Sequence, residues 1–227
     1  MKKILLALSL LLSVSSLIFS QQVFKGTVEY SYQLKGEGSE MMALMMPEKM
    51  VVKYGDNRMM TFMKGGMMAD MMGTVVVNGE TGENFVRKDN EQAVYFIPEE
   101  EIEKQASRSQ KPQVEKMEEE KEIMGYRARK YKLTSIEDGK EFTQYIWTTD
   151  ELAVPEIKNA GLNQMGGVMS SSAVPGFPLL VESSIPQTNV TLLLEVQKIE
   201  KGKVADSEFV RPTDYELKPF SEMTGQN

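Results

Sequence analysis

Two near-identical methionine hexapeptides are the part of this sequence whose side chains are best suited to chemistry. They read Met-Met-Ala-Leu-Met-Met over residues 41–46 and Met-Met-Ala-Asp-Met-Met over residues 67–72. Twelve of the 18 methionines lie within the 32 residues that these segments bound. A thioether is a flexible, polarisable hydrophobic group that also ligates soft metals. The segments therefore predict either an adaptable apolar surface or a thioether metal site.

Each hexapeptide is predicted to form a short helical insert between strands. Its methionines recur at i and i+4, a spacing that places them on one side of a helix. The first insert, 39–47, begins at Ser39, a residue type that caps helices, and ends at Pro47. The second insert, 65–73, is bracketed by glycines. Helices this short are stable only when they dock on something apolar.

Three interpretations of the methionines stay open at this point. They are ordinary core, they line a pocket for an apolar ligand, or their thioethers bind Cu(I). The pocket hypothesis takes eight methionines as lining and three aromatic residues as walls: Met41, Met42, Met45, Met46, Met67, Met68, Met71 and Met72, with Tyr54, Phe62 and Trp147. The copper hypothesis takes Met41, Met45, Met67 and Met71 as ligands.

Composition excludes several other kinds of site. The chain contains neither cysteine nor histidine, so it has no disulfide, no Cys/His zinc site and no histidine-activated nucleophile. We predict no catalytic residues, no cofactor and no enzymatic activity. The net charge of −7 argues against nucleic acid as a partner, because phosphate binding needs a basic surface.

The N-terminus has the pattern of a cleaved signal peptide over residues 1–20. Lys2 and Lys3 precede the apolar, leucine-rich stretch 4–19, and a plausible cleavage point follows at Ser20–Gln21. No later segment is long and apolar enough to span a bilayer. We therefore expect one mature domain, 21–227, that is periplasmic or secreted and does not span the membrane.

Most of the mature chain alternates as strands do. In the first predicted strand Val28, Tyr30 and Tyr32 share one face, and Gly55-Asp56-Asn57 is a strong hairpin turn between the second and third. Short strands separated by glycine- and asparagine-bearing turns continue to residue 199. This pattern predicts a mainly β fold, a curved antiparallel sheet or half-barrel with short helical inserts.

Two segments interrupt the strands. Residues 98–122 are rich in Glu and Lys, which predicts a solvated loop or helix leading into an edge strand with polar faces. Residues 155–178 are rich in Gly, Ser and Pro, which predicts a flexible loop or lid.

The sequence also resembles a known exported family. Ile123-Met124-Gly125-Tyr126, followed by Arg127-Ala128-Arg129-Lys130-Tyr131, and the Trp-containing segment 145–152 are similar to paired strands of the family catalogued as domain of unknown function 4412. The likeness runs from about Phe24 to Tyr215; Ala128 stands where many relatives carry Cys. The family has no established activity. Its strand order is similar to that of LolA/LppX-type carriers, which implies a curved sheet around a hydrophobic ligand site.

These observations favour an exported, non-enzymatic protein that binds a hydrophobic molecule, a lipid or lipid-linked chain, in a methionine-lined cavity. One alternative is a methionine-rich protein that binds Cu(I) or scavenges oxidants. Another is an interaction module that docks on a second envelope protein through an exposed methionine patch.

Overall fold

The computed structural model describes residues 23–102, 111–137, 140–157, 173–185 and 188–225. Twelve strands make one sheet, and their bounds are β1 (Gly26–Lys35), β2 (Lys49–Gly55), β3 (Arg58–Lys64), β4 (Thr74–Asn78), β5 (Asn84–Lys88), β6 (Ala93–Phe96), β7 (Gln113–Ile123), β8 (Tyr126–Glu137), β9 (Lys140–Thr149), β10 (Phe177–Ser184), β11 (Thr191–Lys201) and β12 (Glu216–Pro219). The helices that lie wholly within these residues include α1 (Ser39–Ala43), α2 (Gly66–Met72) and α3 (Phe220–Thr224), and a 3-10 helix spans Asp206–Phe209.

The sheet is open and curved, with the order β12-β6-β5-β4-β3-β2-β1-β11-β10-β9-β8-β7. Every neighbouring pair is antiparallel except β12 and β6, which run parallel. The predicted mainly β fold, a curved sheet with short helical inserts, is therefore confirmed. The sheet is built from two runs of sequential strands, β1–β6 and β7–β11, and the pairing of β1 with β11 joins them.

Alternation along the strands separates two cores, one on each face of the sheet. The larger core includes Met59 and Val77, whereas their chain neighbours Met60 and Val76 belong to the smaller core. Successive strand side chains point to opposite faces, so one residue of each pair packs in the larger core and the other in the smaller core. Phe209 of the 3-10 helix is buried in the smaller core.

Three aromatic residues pack together in the larger core, one just before β1, one on β2 and one on β10. The rings of Phe24, Tyr54 and Phe177 contact one another edge to face, with centroids 5.1 to 5.9 Å apart. Tyr30 is completely buried, and its hydroxyl donates to the carbonyl of Pro178, 3.0 Å away. Burial raises the pKa of Tyr30 well above its ordinary value, so the hydroxyl keeps the proton that this hydrogen bond needs.

The edge strand β7 matches the last part of the prediction for 98–122, of which residues 103–110 lie outside the described residues. Its side chains are mostly exposed, and Glu119 and Glu120 form ion pairs with residues of β8. A charged edge discourages pairing with other chains. The predicted signal peptide and most of the predicted 155–178 loop lie outside the described residues, and Phe177 and Pro178 belong to β10.

Candidate functional site

The two methionine helices emerge at the same end of the sheet. α1 connects β1 to β2, and α2 connects β3 to β4. Because β1, β2, β3 and β4 are successive antiparallel neighbours, the first and third connections must lie at one end and the hairpin turn at the other. The topology therefore brings together two segments that are separated in the sequence.

A direct backbone contact holds the two segments side by side. The amide of Met68 donates to the carbonyl of Met45 at 3.2 Å. The β2–β3 pairing extends toward this contact, since the amide of Glu48 donates to the carbonyl of Lys64 at 2.9 Å. The helical turn of α1 continues past its formal end, since the amide of Met46 donates to the carbonyl of Met42 at 3.2 Å.

Glycine permits the close approach. Gly66 has a φ of 70°, and a Cβ on this residue would lie 2.1 Å from the carbonyl oxygen of Met46. Atoms that are not bonded do not approach so closely, so a side chain at this position would push the segments apart. Gly65 and Gly73, which flank α2, also have φ values of 70°.

Most of the apolar surface at this end faces solvent. Exposure is 78% for Met41, 80% for Leu44, 53% for Met45, 66% for Met67 and 67% for Met71. We call these five residues the methionine surface. Neither helix contains a buried residue, and the other four predicted methionines, Met42, Met46, Met68 and Met72, are half-buried. Large exposed apolar patches mark sites of interaction more often than single exposed residues do.

The three predicted aromatic walls lie elsewhere. Tyr54 and Trp147 are buried in the larger core, while Phe62 packs against the smaller core on the other face. The indole N–H of Trp147 donates to Glu182 at 2.9 Å, and the ammonium of Lys121 lies 4.0 Å from the centre of its ring. The structure thus brings the two methionine clusters together but does not bring Tyr54, Phe62 and Trp147 onto one surface.

A polar cleft of about 190 Å³ adjoins the outer side of α2. Asp70 and Phe62 line it, but none of the eight predicted methionines does. Its volume lies below the roughly 300–1,000 Å³ that is usual for a drug-sized ligand.

Of the charged residues that line this cleft, Arg87, Lys88 and Asp89 are paired. Asp89 accepts a hydrogen bond of 3.0 Å from the hydroxyl of Tyr215, which raises the pKa of that tyrosine. The Nε atom of Arg87 lies 2.9 Å from the same carboxylate oxygen. The two groups form an ion pair, but the Nε–H of Arg87 does not point at the oxygen. Sequence patterns do not single out these residues, because Asp89 is a turn residue and Tyr215 is 126 positions away in the chain.

The chemistry open to the methionine end of the sheet is apolar contact and soft-metal ligation. Within the described ranges no three His, Cys, Asp or Glu side chains are grouped so as to hold a metal ion. In the same part of the chain no helix is both long and apolar enough to cross a membrane. Thioethers are therefore the distinctive ligand groups that this end of the molecule offers.

Comparison with known structures gives matches of low sequence identity. The structure of PNGF-II is 16% identical with a TM-score of 0.48; the match covers 88% of this chain and 33% of that one, so the chain spans about a third of PNGF-II. An uncharacterized conserved protein from Thermus thermophilus is 11% identical over 86% of this chain and 91% of that one, with a TM-score of 0.48. A DUF1329 family protein from Desulfovibrio piger is 12% identical over 84% and 91%, with a TM-score of 0.35.

No curated protein matches the sequence. The family described as Domain of unknown function (DUF4412) matches residues 24–215, which is most of the chain and includes both methionine helices and all strands from β1 to β11. The motifs of β8 and β9 that carried the resemblance fall within this match. The chain therefore belongs to the DUF4412 family.

Proposed function

We propose that this is an exported, non-enzymatic protein that binds the acyl chain of a lipid or lipid-linked molecule on its methionine surface. The observation that carries the proposal is the exposure of Met41, Met45, Met67 and Met71, from 53% to 78%, on two segments that a backbone hydrogen bond joins. The ligand lies across this surface, between side chains that can rearrange around it.

The exposure is costly unless something covers it. Each large apolar side chain moved out of water contributes about 1.5–3 kcal/mol when the burial is complete. Methionine has three rotatable side-chain bonds and adapts to ligands of varied shape. An acyl chain, which has no fixed shape or hydrogen-bonding groups, suits such a surface.

The rest of the molecule supports a binding role rather than catalysis. The chain has no histidine and no cysteine, which removes the common nucleophile and base pairs. In the described cleft, Asp89 is already bound to Arg87 and Tyr215. Export rests on the N-terminal pattern of Lys2, Lys3 and the apolar stretch that follows them.

A pair of quadruple variants tests lipid binding. The first carries Met41→Ser, Met45→Ser, Met67→Ser and Met71→Ser; the second carries leucine at the same four positions. We expect the full chain to bind a phospholipid with a fluorescent acyl chain, the serine variant to bind at least about tenfold more weakly, and the leucine variant to bind as the parent does, because leucine keeps the apolar surface.

Met124→Ser is the matched control, since Met124 is 51% exposed at the turn between β7 and β8. Its affinity should equal that of the parent. A parent protein that takes up no labelled lipid, or a serine variant that binds it unchanged, would contradict the proposal.

A further inference from the structure

We infer that the same pair of helices forms a Cu(I) site, with the thioethers of Met41, Met45, Met67 and Met71 as ligands. This metal site goes beyond the proposed lipid binding and does not depend on it. It rests on the position of the sulfur-bearing residues, the choice of methionine over other apolar residues, and the local charge.

The fold brings the two methionine segments to the same end of the sheet. The hydrogen bond from the Met68 amide to the Met45 carbonyl places Met45 directly beside Met67 and Met68. Met41 and Met71 each lie four residues along their own segment, about one helical turn or 6 Å away. Methionine side chains are long and flexible, and the inferred site requires the four thioethers to turn from the two neighbouring segments toward one ion.

The choice of side chain points to sulfur as well as to apolar character. Elsewhere in the described structure the buried apolar residues are mainly Val, Leu, Ile, Phe and Tyr, and the buried methionines are Met50, Met59 and Met60. At the two helices, by contrast, all four paired positions of both hexapeptides are methionine. Leucine would supply the same apolar area but no ligand atom, so the choice of methionine fits a thioether site as well as an adaptable surface.

Thioethers select the metal. A neutral, soft sulfur ligand favours a soft, singly charged ion, whereas Mg²⁺ and Ca²⁺ prefer oxygen ligands and Cu²⁺ prefers nitrogen and oxygen. The chain contains no histidine to support Cu²⁺ and no cysteine to compete for Cu(I). Copper in its reduced state is therefore the ion that this set of ligands fits best.

Local charge favours a cation. Neither helix contains Lys or Arg, and both carry an exposed carboxylate, Glu40 in α1 and Asp70 in α2. Two of the basic residues that flank the helices in the chain are engaged elsewhere. Lys49 pairs with Glu29 at 3.4 Å, and the ammonium of Lys64 lies 5.4 Å from the ring centre of Phe62.

An anaerobic titration of the full chain with Cu(I), against a competing chromophoric chelator, tests the inference. We expect one Cu(I) to bind with a Kd below about 1 µM. The quadruple leucine variant should lose at least about a hundredfold in affinity, while Met124→Leu, an exposed methionine on another part of the molecule, should bind as the parent does. X-ray absorption of the loaded protein should show sulfur ligands only.

The leucine substitutions conserve volume and fall at residues that are not buried, so the variant keeps its fold, which thermal unfolding can check. A parent Kd weaker than about 1 µM, a leucine variant that binds copper unchanged, or nitrogen and oxygen ligands at the metal would overturn the inference. Measuring both ligands on the parent protein separates the two proposals. Copper binding without lipid uptake would refute only the proposed function, and lipid uptake without copper binding would refute only this site.

Discussion

At the scale of single residues, Gly66 sets the distance between α2 and the segment that follows α1. Its φ of 70° falls in the left-handed region, and the nearest atom to a Cβ added there would be the carbonyl oxygen of Met46. Gly38, at the start of α1, has a similar φ of 81° but no atom within 4 Å of a Cβ position. Substitutions at the two glycines therefore distinguish the cost of backbone strain, which both would have, from the cost of a steric contact, which only Gly66 would have.

We predict that Gly66→Ala exposes α2 to proteolysis. Strain and the contact with Met46 should together cost about 2 kcal/mol or more, which corresponds to roughly a thirtyfold rise in the opened population and in the rate of chymotrypsin cleavage within 65–73. Gly38→Ala is the control, and within 36–46 it should raise cleavage only about severalfold, because it adds strain without a contact. Equal effects of the two substitutions would show that the close approach does not hold α2 in place.

At the scale of secondary structure, the two helices and the strands beneath them differ in what stabilises them. α1 has five residues and α2 has seven, and neither buries a side chain. Helices of this length are not stable alone in water, so their order depends on the backbone contact and on the glycine-permitted packing. β1, in contrast, pairs along its length with β11 and along its first half with β2.

Hydrogen exchange should reveal this difference. We predict that amides in 39–46 and 66–72 exchange orders of magnitude faster than those of β1 and β11, because local opening of the helices breaks few contacts. Labelling followed by mass spectrometry of peptides measures it. Addition of Cu(I), or of the labelled phospholipid, should slow exchange in the two helices and leave β1 unchanged. Helices that are as protected as β1 in the free protein would contradict this description.

At the scale of the whole molecule, one seam joins the two halves of the sheet. β1 and β11 come from opposite ends of the chain, and Tyr30 extends the connection to β10 through its hydrogen bond to Pro178. The larger core continues across this seam, with buried residues from both runs of strands. We therefore expect the two runs to unfold together.

Tyr30→Phe tests the seam. The substitution keeps the buried ring but leaves the Pro178 carbonyl without this donor, so the free energy of unfolding should fall by about 1–2 kcal/mol. Tyr215→Phe is the control, because the hydroxyl of Tyr215 donates at 3.0 Å to Asp89 on the surface and its loss should cost about 0.5 kcal/mol or less. Urea denaturation monitored by two spectroscopic probes should give a single transition for both variants. Two separate transitions, or equal costs, would contradict a continuous core.

Much of this architecture could be predicted from local patterns, and some of it could not. The alternation of Val28 and Tyr30 and the turn at Gly55–Asn57 predicted β1 and the β2–β3 hairpin correctly. β12 escaped prediction because it has only four residues and pairs in parallel with β6, a partner more than 100 residues earlier. At the candidate site, the hexapeptides and their glycine and proline boundaries could be read from the sequence, whereas the contact between Met45 and Met68 could not.

Residue types alone establish which chemical groups this protein offers, because they do not depend on folding. The sequence supplies thioethers in two clusters, and it contains neither histidine nor cysteine. The exposure and the neighbours of those groups depend on how the chain folds. The order of the strands brought α1 and α2 to one end of the sheet, and the packing left four paired methionines facing water while Tyr54 and Trp147 entered the core. Exposure and proximity depend on contacts between segments distant in the chain, and these distant contacts are what local sequence patterns do not encode.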